Sequence, residues 1–159
     1  HDEEGFTLIE LLVSIAIFSI VVSIAVGGFT RALRTERQVA ALISANSNAS
    51  LVIEQIAREV RTGRDFVCSG TPCTELAFTN ARNESVAYRL SSGAIEKRVD
   101  IARPFEPITA ENIDAKYLFF LLFANPAFPP RITIALGVSA PIPGVDQTIT
   151  RLQTTVSAR

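Results

Sequence analysis

The chain has 159 residues and a formal net charge of -1, and 48% of its residues are hydrophobic. This length fits one globular domain, and the near-neutral charge gives no support to nucleic-acid binding through a basic surface. The excess of hydrophobic residues is the unusual feature, and much of it lies near the N-terminus.

The first predicted element is a long apolar helix that begins within "GFTLIELLVSIAIFSIVV", residues 5–22. No charged residue occurs from Leu11 to Phe29, and a helix of that length spans roughly 28 Å, close to the ~30 Å hydrocarbon core of a bilayer. A signal peptide has a shorter apolar segment, about 7–15 residues, and a small-residue cleavage motif that this run lacks. We therefore predict a retained membrane span that carries one acid, Glu10.

The helix is predicted to continue beyond the span as an amphipathic segment. Apolar residues recur there at steps of three and four, which is typical of a helix with one buried face: Leu42, Ala45, Ala49, Val52, Ile53, Ile56 and Val60. Glu54 and Arg58 have the spacing of an i,i+4 ion pair, and Glu59 is expected on the opposite, wet face. Gly63 is expected to end the helix.

Two places in this helix are expected to bend or melt locally. Gly27 and Gly28 weaken a helix because glycine gains backbone freedom in the unfolded chain. The stretch "ANSNAS", residues 45–50, contains Asn and Ser side chains that compete for backbone hydrogen bonds.

After Gly63 the sequence pattern changes to short alternating segments. Residues 74–79, 84–90 and 94–101 predict an antiparallel meander, and residues 115–123, 131–138 and 148–156 predict three further strands. Residues 117–123 are apolar on both faces, so we expect a central strand with one face against the helix and the other face covered or bound by a partner. "FANPAFPPR", residues 123–131, predicts a long hairpin loop, with a subunit contact surface as the alternative. The predicted fold class is α+β, a long N-terminal helix packed on an antiparallel β-sheet.

The opening stretch resembles the start of type IV pilins and pseudopilins, in which Gly, Phe and "TLIE" precede an apolar helix. "GFTLIELLVSIAIFSIVVSI", residues 5–24, matches that signature, and the order of helix and sheet extends the likeness over most of the chain. Residues 41–63 and 86–100 look most like a minor pilin or minor pseudopilin. The resemblance implies a pilin-like fold.

The resemblance also assigns roles to three residues. A prepilin peptidase would cleave after Gly5, and the new N-terminus at Phe6 would be methylated. Glu10 would be the assembly acid, which the new ammonium group of Phe6 neutralises where water is scarce. The alternative for Glu10 is an acid at a helix start that the helix dipole favours and that reaches the lipid headgroups. The alternative for Gly5 is an ordinary N-terminal glycine.

These roles divide the chain into a residual leader at residues 1–5, a hydrophobic transmembrane and assembly helix at 6–30, and an extracytoplasmic domain at 31–159. The charges around the helix do not fit that topology. Residues 1–4 are "HDEE", acidic where pilin leaders are basic, and the positive-inside rule would place Arg31, Arg34 and Arg37 in the cytoplasm. The chain begins with His1 rather than Met, so we expect that the native leader is incomplete or that the start was processed, and lost basic residues would resolve the conflict.

Cys68 and Cys73, in "CSGTPC", are predicted to form a disulfide in this extracytoplasmic domain. Gly70 and Pro72 between them favour a turn that brings the two thiols together. The bond is expected to pin the connection between helix and sheet. Two cysteines without a nearby histidine make a poor metal site, because structural zinc takes four ligands.

We expect no enzyme activity and no cofactor. His1 is the one histidine and lies in the predicted leader, so the mature chain lacks Ser-His and Cys-His chemistry, and no glycine-rich phosphate loop follows a strand. Four acids raise the question of a calcium site, but they lack the close D-x-D-x-D spacing: Asp100, Glu111, Asp114 and Asp146. No metal site is predicted.

The predicted function is a structural subunit, a minor pilin or pseudopilin of a type IV pilus-like filament, with the filament tip as one position open to it. The expected partners are other pilin subunits, prepilin peptidase and the inner membrane, with DNA or a secreted substrate a weaker expectation. The protein would cross the inner membrane once before assembly and then lie in a filament at the cell surface or in the periplasm. The alternative is a membrane-anchored extracytoplasmic binding protein that does not polymerise.

Overall fold

The computed structural model describes residues 7–125 and 127–159. In these residues one helix precedes eight strands: α1 Leu8–Arg61, β1 Arg64–Ser69, β2 Glu75–Thr79, β3 Ser85–Ser91, β4 Ala94–Val99, β5 Glu106–Pro107, β6 Asp114–Asn125, β7 Phe128–Ser139 and β8 Thr150–Ser157. The chain divides into two compact units, which meet in sequence between Val39 and Ala40. The fold class is α+β and pilin-like, as the sequence predicts.

In the first unit α1 is exposed to its surroundings on all sides. Every residue from Thr7 to Arg37 is exposed, including the long apolar stretch. The helix runs through Gly27 and Gly28 without a break, so the expected local melting is wrong. Two glycines cost about 1 kcal/mol each relative to alanine, too little to interrupt a ladder of backbone hydrogen bonds that continues on both sides.

In the second unit α1 buries one face. Ala45, Ala49, Val52, Ile56 and Val60 are buried, which confirms the predicted apolar stripe. Glu54 and Arg58 form the expected ion pair at 2.9 Å on the exposed side.

The helix also continues through residues 45–50, where melting was expected. Asn48 Nδ2 donates to the Ser44 carbonyl at 3.3 Å, and Ser50 Oγ donates to the Asn46 carbonyl at 2.9 Å. The polar side chains therefore bond to the preceding turn of the helix and leave the backbone ladder intact.

The helix ends at Arg61, and the Gly63 N–H donates to the Val60 carbonyl at 3.1 Å. Gly63 is required by a close approach, because a Cβ at this position would lie 2.7 Å from Cδ2 of Phe78. The backbone N–H of Arg159 satisfies the Arg61 carbonyl at 3.1 Å. Gly63 thus gives the chain room to leave the helix beneath Phe78.

The first sheet has five strands in the order β1-β2-β3-β4-β5, all antiparallel. β2, β3 and β4 form the predicted meander. The turn between β3 and β4 has positive φ at Ser92 and Gly93, 49° and 77°, as a two-residue type I′ hairpin requires. β1 was not predicted, because "RDFVCS" follows directly after the helix and offers only two apolar residues besides cysteine.

The second sheet has three antiparallel strands in the order β6-β7-β8. The predicted sheet is therefore two sheets. β6 lies at an edge of this sheet, so the expectation of a central strand is wrong. Its apolar outer face is partly exposed in the described chain, and a bound partner on that face stays a prediction. The long loop expected at residues 123–131 is also wrong, since β6 reaches Asn125 and β7 starts at Phe128. Pro129 and Pro130 are tolerated there because the pairing of β7 with β8 begins only at Arg131.

One hydrophobic core joins the buried face of α1 to both sheets. The first sheet contributes Leu76, Phe78, Val86, Tyr88 and Ile95, and the second contributes Leu118, Phe120, Ile132, Ile134, Leu136 and Val138. The second unit therefore carries a complete core of its own.

Candidate assembly site

The helix start is organised by a capping box. Thr7 is the N-cap: its Oγ1 accepts a hydrogen bond from the Glu10 N–H at 3.3 Å, and Glu10 Oε2 accepts in return from the Thr7 N–H at 2.9 Å. The Thr7 hydroxyl also donates to Glu10 Oε2 at 2.9 Å. Thr7 is not among the predicted site residues, although the spacing T-x-x-E before an apolar run is the signal for this motif.

Glu10 thus has a local structural role, as part of the helix cap. Both hydrogen bonds from Thr7 end on Oε2, and Oε1 has no partner among the described residues. Glu10 is exposed, and its neighbours on the same helix are Ile9, Val13 and Ser14. One oxygen of the acid therefore caps the helix, and the other can accept a cationic donor from another molecule.

The polar side chains of the apolar stretch are satisfied within the helix. Ser14, Ser19 and Ser23 each donate to the carbonyl four residues earlier at 2.7 Å, and Thr30 Oγ1 donates to the Gly27 carbonyl at 3.0 Å. An unsatisfied hydroxyl in hydrocarbon would cost several kcal/mol. With these bonds made, the helix surface beyond Glu10 offers essentially apolar contacts.

The apolar helix meets the length and composition requirements of a membrane span. An 18-residue window of α1 has a mean hydropathy of 2.6, and none of that window is buried inside the protein. By length and composition α1 is a candidate membrane span, and signal sequences near an N-terminus share these properties.

Two of the predicted site residues, Gly5 and Phe6, lie outside the described residues. Cleavage after Gly5 and methylation of Phe6 stay predictions. Glu10, by contrast, is placed at the third helical position, within the first turn and next to the segment where the cleavage would occur.

A disulfide joins Cys68 and Cys73, whose Cα atoms are 5.5 Å apart. Cys68 is in β1 and Cys73 precedes β2, so the bond closes the connection between these two strands instead of the connection between helix and sheet. Cys73 also forms a bridge with Phe120 of β6. The bond therefore fixes a point where the two sheets meet.

A polar cluster fixes α1 against the first sheet. The Tyr88 hydroxyl donates to Glu59 Oε2 at 2.9 Å, and Lys97 Nζ donates to the other carboxylate oxygen of Glu59. Burial, reinforced by the negative charge of Glu59, raises the pKa of Tyr88 far above its ordinary value. The prediction that Glu59 lies on the wet face is wrong, because the side chains of Tyr88 on β3 and Lys97 on β4 contact it and leave it half-buried.

Metal-binding side chains do not cluster in the part of the chain that the structure describes. No group of three or more His, Cys, Asp and Glu residues is placed there to hold an ion. Of the acids considered for calcium, Asp114 forms an ion pair with Lys116, and Asp100 Oδ1 accepts from the Ala102 N–H at 3.2 Å.

In a comparison with known families, residues 1–26 match the prokaryotic N-terminal methylation motif. This motif is the signal of type IV pilins and pseudopilins, and it covers the capping box, Glu10 and most of the apolar stretch. No curated protein and no solved structure matches the chain. The motif supports a pilin-like protein that prepilin peptidase processes, and together with the apolar helix it is consistent with a single membrane-anchoring span.

Proposed function

We propose that this chain is a minor pilin or pseudopilin, a structural subunit that prepilin peptidase processes in the membrane and that is then assembled into a type IV pilus-like filament. The observation that supports this proposal most strongly is that the methylation motif occurs together with an apolar helix exposed on every side. This helix carries the carboxylate of Glu10, which uses one oxygen in the capping box and has no described partner for the other. The proposal includes no enzymatic role. The globular domain would lie outside the cytoplasm, and the filament at the cell surface or in the periplasm.

In this proposal the exposed helix occupies two successive environments. Before assembly lipid covers the apolar side chains, and after assembly the equivalent helices of neighbouring subunits cover them. Because lipid and helix surfaces are similarly apolar, the change requires no large gain in hydrophobic free energy and is directed by packing and by polar contacts. Glu10 is the one polar group in this stretch available to direct it.

The proposed contact of Glu10 is with the amino group that cleavage creates at Phe6 of a neighbouring subunit. An ammonium group donating to Oε1 would give that oxygen a hydrogen-bond partner without disturbing the capping bonds on Oε2. In an apolar bundle such a pair depends on both members, since removing one leaves a buried charge at a cost of about 3–5 kcal/mol.

The principal test is the incorporation of Glu10 variants into filaments that are sheared from cells. We expect Glu10→Ala to lower the amount in the sheared fraction by on the order of a hundred- to a thousandfold, which follows from that free-energy cost of about 3–5 kcal/mol, while the amount in the membrane fraction is kept. The matched control is Glu36→Ala, which removes an exposed carboxylate from the same helix beyond the apolar stretch. A Glu10→Ala protein that enters filaments like the wild type would contradict the proposal and favour an anchored binding protein.

A second variant separates assembly from helix capping. Thr7→Val removes the hydroxyl bonds to Glu10 but keeps the carboxylate, and losing an N-cap costs about 1 kcal/mol. We expect Thr7→Val to assemble much better than Glu10→Ala. Equal losses in the two variants would mean that Glu10 acts only through the helix end.

The processing step and the minor role have their own measurements. Mass spectrometry of the mature N-terminus should find Phe6 carrying one methyl group in cells with an active peptidase. Quantification of the same filaments should give this chain in small amounts relative to the main subunit. An uncleaved chain under these conditions would overturn the processing step, and equal amounts would overturn the minor role.

A further inference from the structure

Three arginines follow directly after the apolar stretch of α1. Arg31, Arg34 and Arg37 are all exposed, and none of them forms an ion pair or a side-chain hydrogen bond with another described residue. The one acid close to them in the sequence is Glu36, which is exposed as well. We call the three arginines the arginine cluster.

The arginine cluster occupies one face of the helix. α1 is continuous through these residues, and at about 100° per residue the three side chains lie within an arc of about 120° centred on Arg34. Glu36 lies about 160° from Arg34, on the opposite side of the helix. The cluster therefore presents a positive charge that the neighbouring acid does not offset.

The position of the cluster along the helix places it beside the membrane whenever the apolar stretch is in a bilayer. At about 1.5 Å per residue, Arg31 and Arg34 lie about 3 Å and 7.5 Å beyond Phe29 along the helix axis. The headgroup layer is about 5–7.5 Å thick on each side of the hydrocarbon core. Side chains of a helix point toward its N-terminus, which here means back toward the span. The guanidinium groups of Arg31 and Arg34 therefore lie at the depth of the lipid phosphates.

We propose that the arginine cluster binds the phosphate groups of anionic phospholipids at the membrane surface. The inference rests on the part of the proposed function that places the apolar helix in a bilayer, and it adds the class of lipid. Guanidinium groups bind phosphate through paired hydrogen bonds and are weakly hydrated, which suits the partly dry interface. A zwitterionic headgroup carries its own cation, whereas an anionic headgroup leaves its charge available to the cluster. The bound lipids would hold this end of the span at the membrane surface until assembly.

A fluorescence measurement on the full chain can detect these lipids. The chain contains no tryptophan, so a single introduced one reports only on its own neighbours. Gly27 is a suitable position, because it lies about 20° from Arg34 around the helix and an added Cβ would meet no atom within 4 Å. The Gly27→Trp chain is reconstituted in phosphatidylcholine vesicles that contain a minor share of phosphatidylglycerol. Bromine on the acyl chains of one lipid or the other quenches the tryptophan according to how often that lipid lies beside it.

The expected result is a strong preference for the anionic lipid. Each arginine at headgroup depth should favour it about fivefold, so Arg31 and Arg34 together should give a preference of about twenty-fivefold over phosphatidylcholine. Changing all three residues of the cluster to glutamine in the Gly27→Trp chain should bring the ratio close to one. Glu36→Gln in the same chain is the matched control, since it removes a charge from the opposite face and should keep the preference.

The contrary outcomes are distinct. Equal quenching by the two lipids, or a preference that survives the triple glutamine change, would overturn the proposal and leave the cluster to an acidic protein surface. Inorganic phosphate that removes the preference, where chloride of equal ionic strength keeps it, would also overturn it, because the cluster would then be a site for free phosphate. Quenching by neither lipid would contradict the membrane span itself, and with it the proposed function, whereas equal quenching contradicts only this inference.

Discussion

The two compact units share a single helix but obtain its stability from different sources. From Ala45 to Val60 the helix buries one stripe of side chains in the core of its own chain. From Thr7 to Arg37 it buries none, although that part is the more apolar of the two. The difference teaches that hydrophobicity alone does not predict burial within a chain. The spacing of the apolar residues determines whether the helix is buried within its own chain. In the second unit they form a stripe on one face, whereas in the first they lie all round the helix, which therefore needs an apolar environment from outside.

The largest expected effect comes from separating the two regions. A fragment of residues 40–159 should stay in aqueous solution and unfold cooperatively, because it keeps the whole buried stripe and both sheets. The full chain should partition completely into detergent, since each buried CH₂ group contributes about 0.8 kcal/mol. Detergent phase separation followed by thermal unfolding measures both properties. A fragment that precipitates or unfolds without cooperativity would show that the second unit depends on the first.

A smaller effect should distinguish the buried and exposed sides of the helix within the second unit. Ile56→Ala removes a fully buried side chain and should lower the free energy of unfolding by about 2–5 kcal/mol. Ile43→Ala makes the same change on the same helix at a side chain that is 62% exposed, and should stay within about 0.5 kcal/mol. Urea unfolding of both variants gives the comparison. Similar losses would mean that Ile43 is covered in the folded protein.

The smallest predicted effect concerns the polar contact between helix and sheet. Tyr88→Phe removes the hydrogen bond to Glu59 and should cost about 1–2 kcal/mol at neutral pH. Because burial raises the pKa of Tyr88 in the folded state, the unfolded chain loses its proton first, from about pH 10 upward. The stability from this group is complete below that pH and falls above it, by up to about 1.4 kcal/mol per pH unit.

Denaturant unfolding at a series of alkaline pH values measures this slope. Tyr88→Phe should lose that part of the pH dependence, whereas Tyr117→Phe, on the outer face of β6, should retain it. An unchanged alkaline slope in Tyr88→Phe would contradict the assignment to this hydroxyl.

Elements with a strong period could be predicted from the sequence. The stripe from Ala45 to Val60 and the strands of the meander follow from spacing alone, and both are present. The site could be predicted only in part, since Glu10 stood out as an acid in an apolar run but its bond to Thr7 was missed. Local composition was misleading at residues 45–50, because it does not reveal that Asn and Ser side chains can bond to the preceding turn.

The remaining errors come from contacts between residues distant in sequence. Whether β6 is central or at an edge depends on which strands lie beside it, and an apolar pattern on both faces is compatible with either position. The placement of Glu59 depends in the same way on Tyr88 and Lys97, which follow it by 29 and 38 residues. Only the assembled fold determines such neighbours.

Three serine hydroxyls of the first unit bond to carbonyls of their own helix. These bonds affect how easily the helix could move from lipid into contact with other protein helices. Since Ser14, Ser19 and Ser23 already have their acceptors, no new side-chain partner must be found for them when acyl chains are replaced by protein. The activation barrier to such a transfer would then contain no contribution from breaking these bonds. The helix could then pass between the bilayer and a bundle of protein helices in either direction.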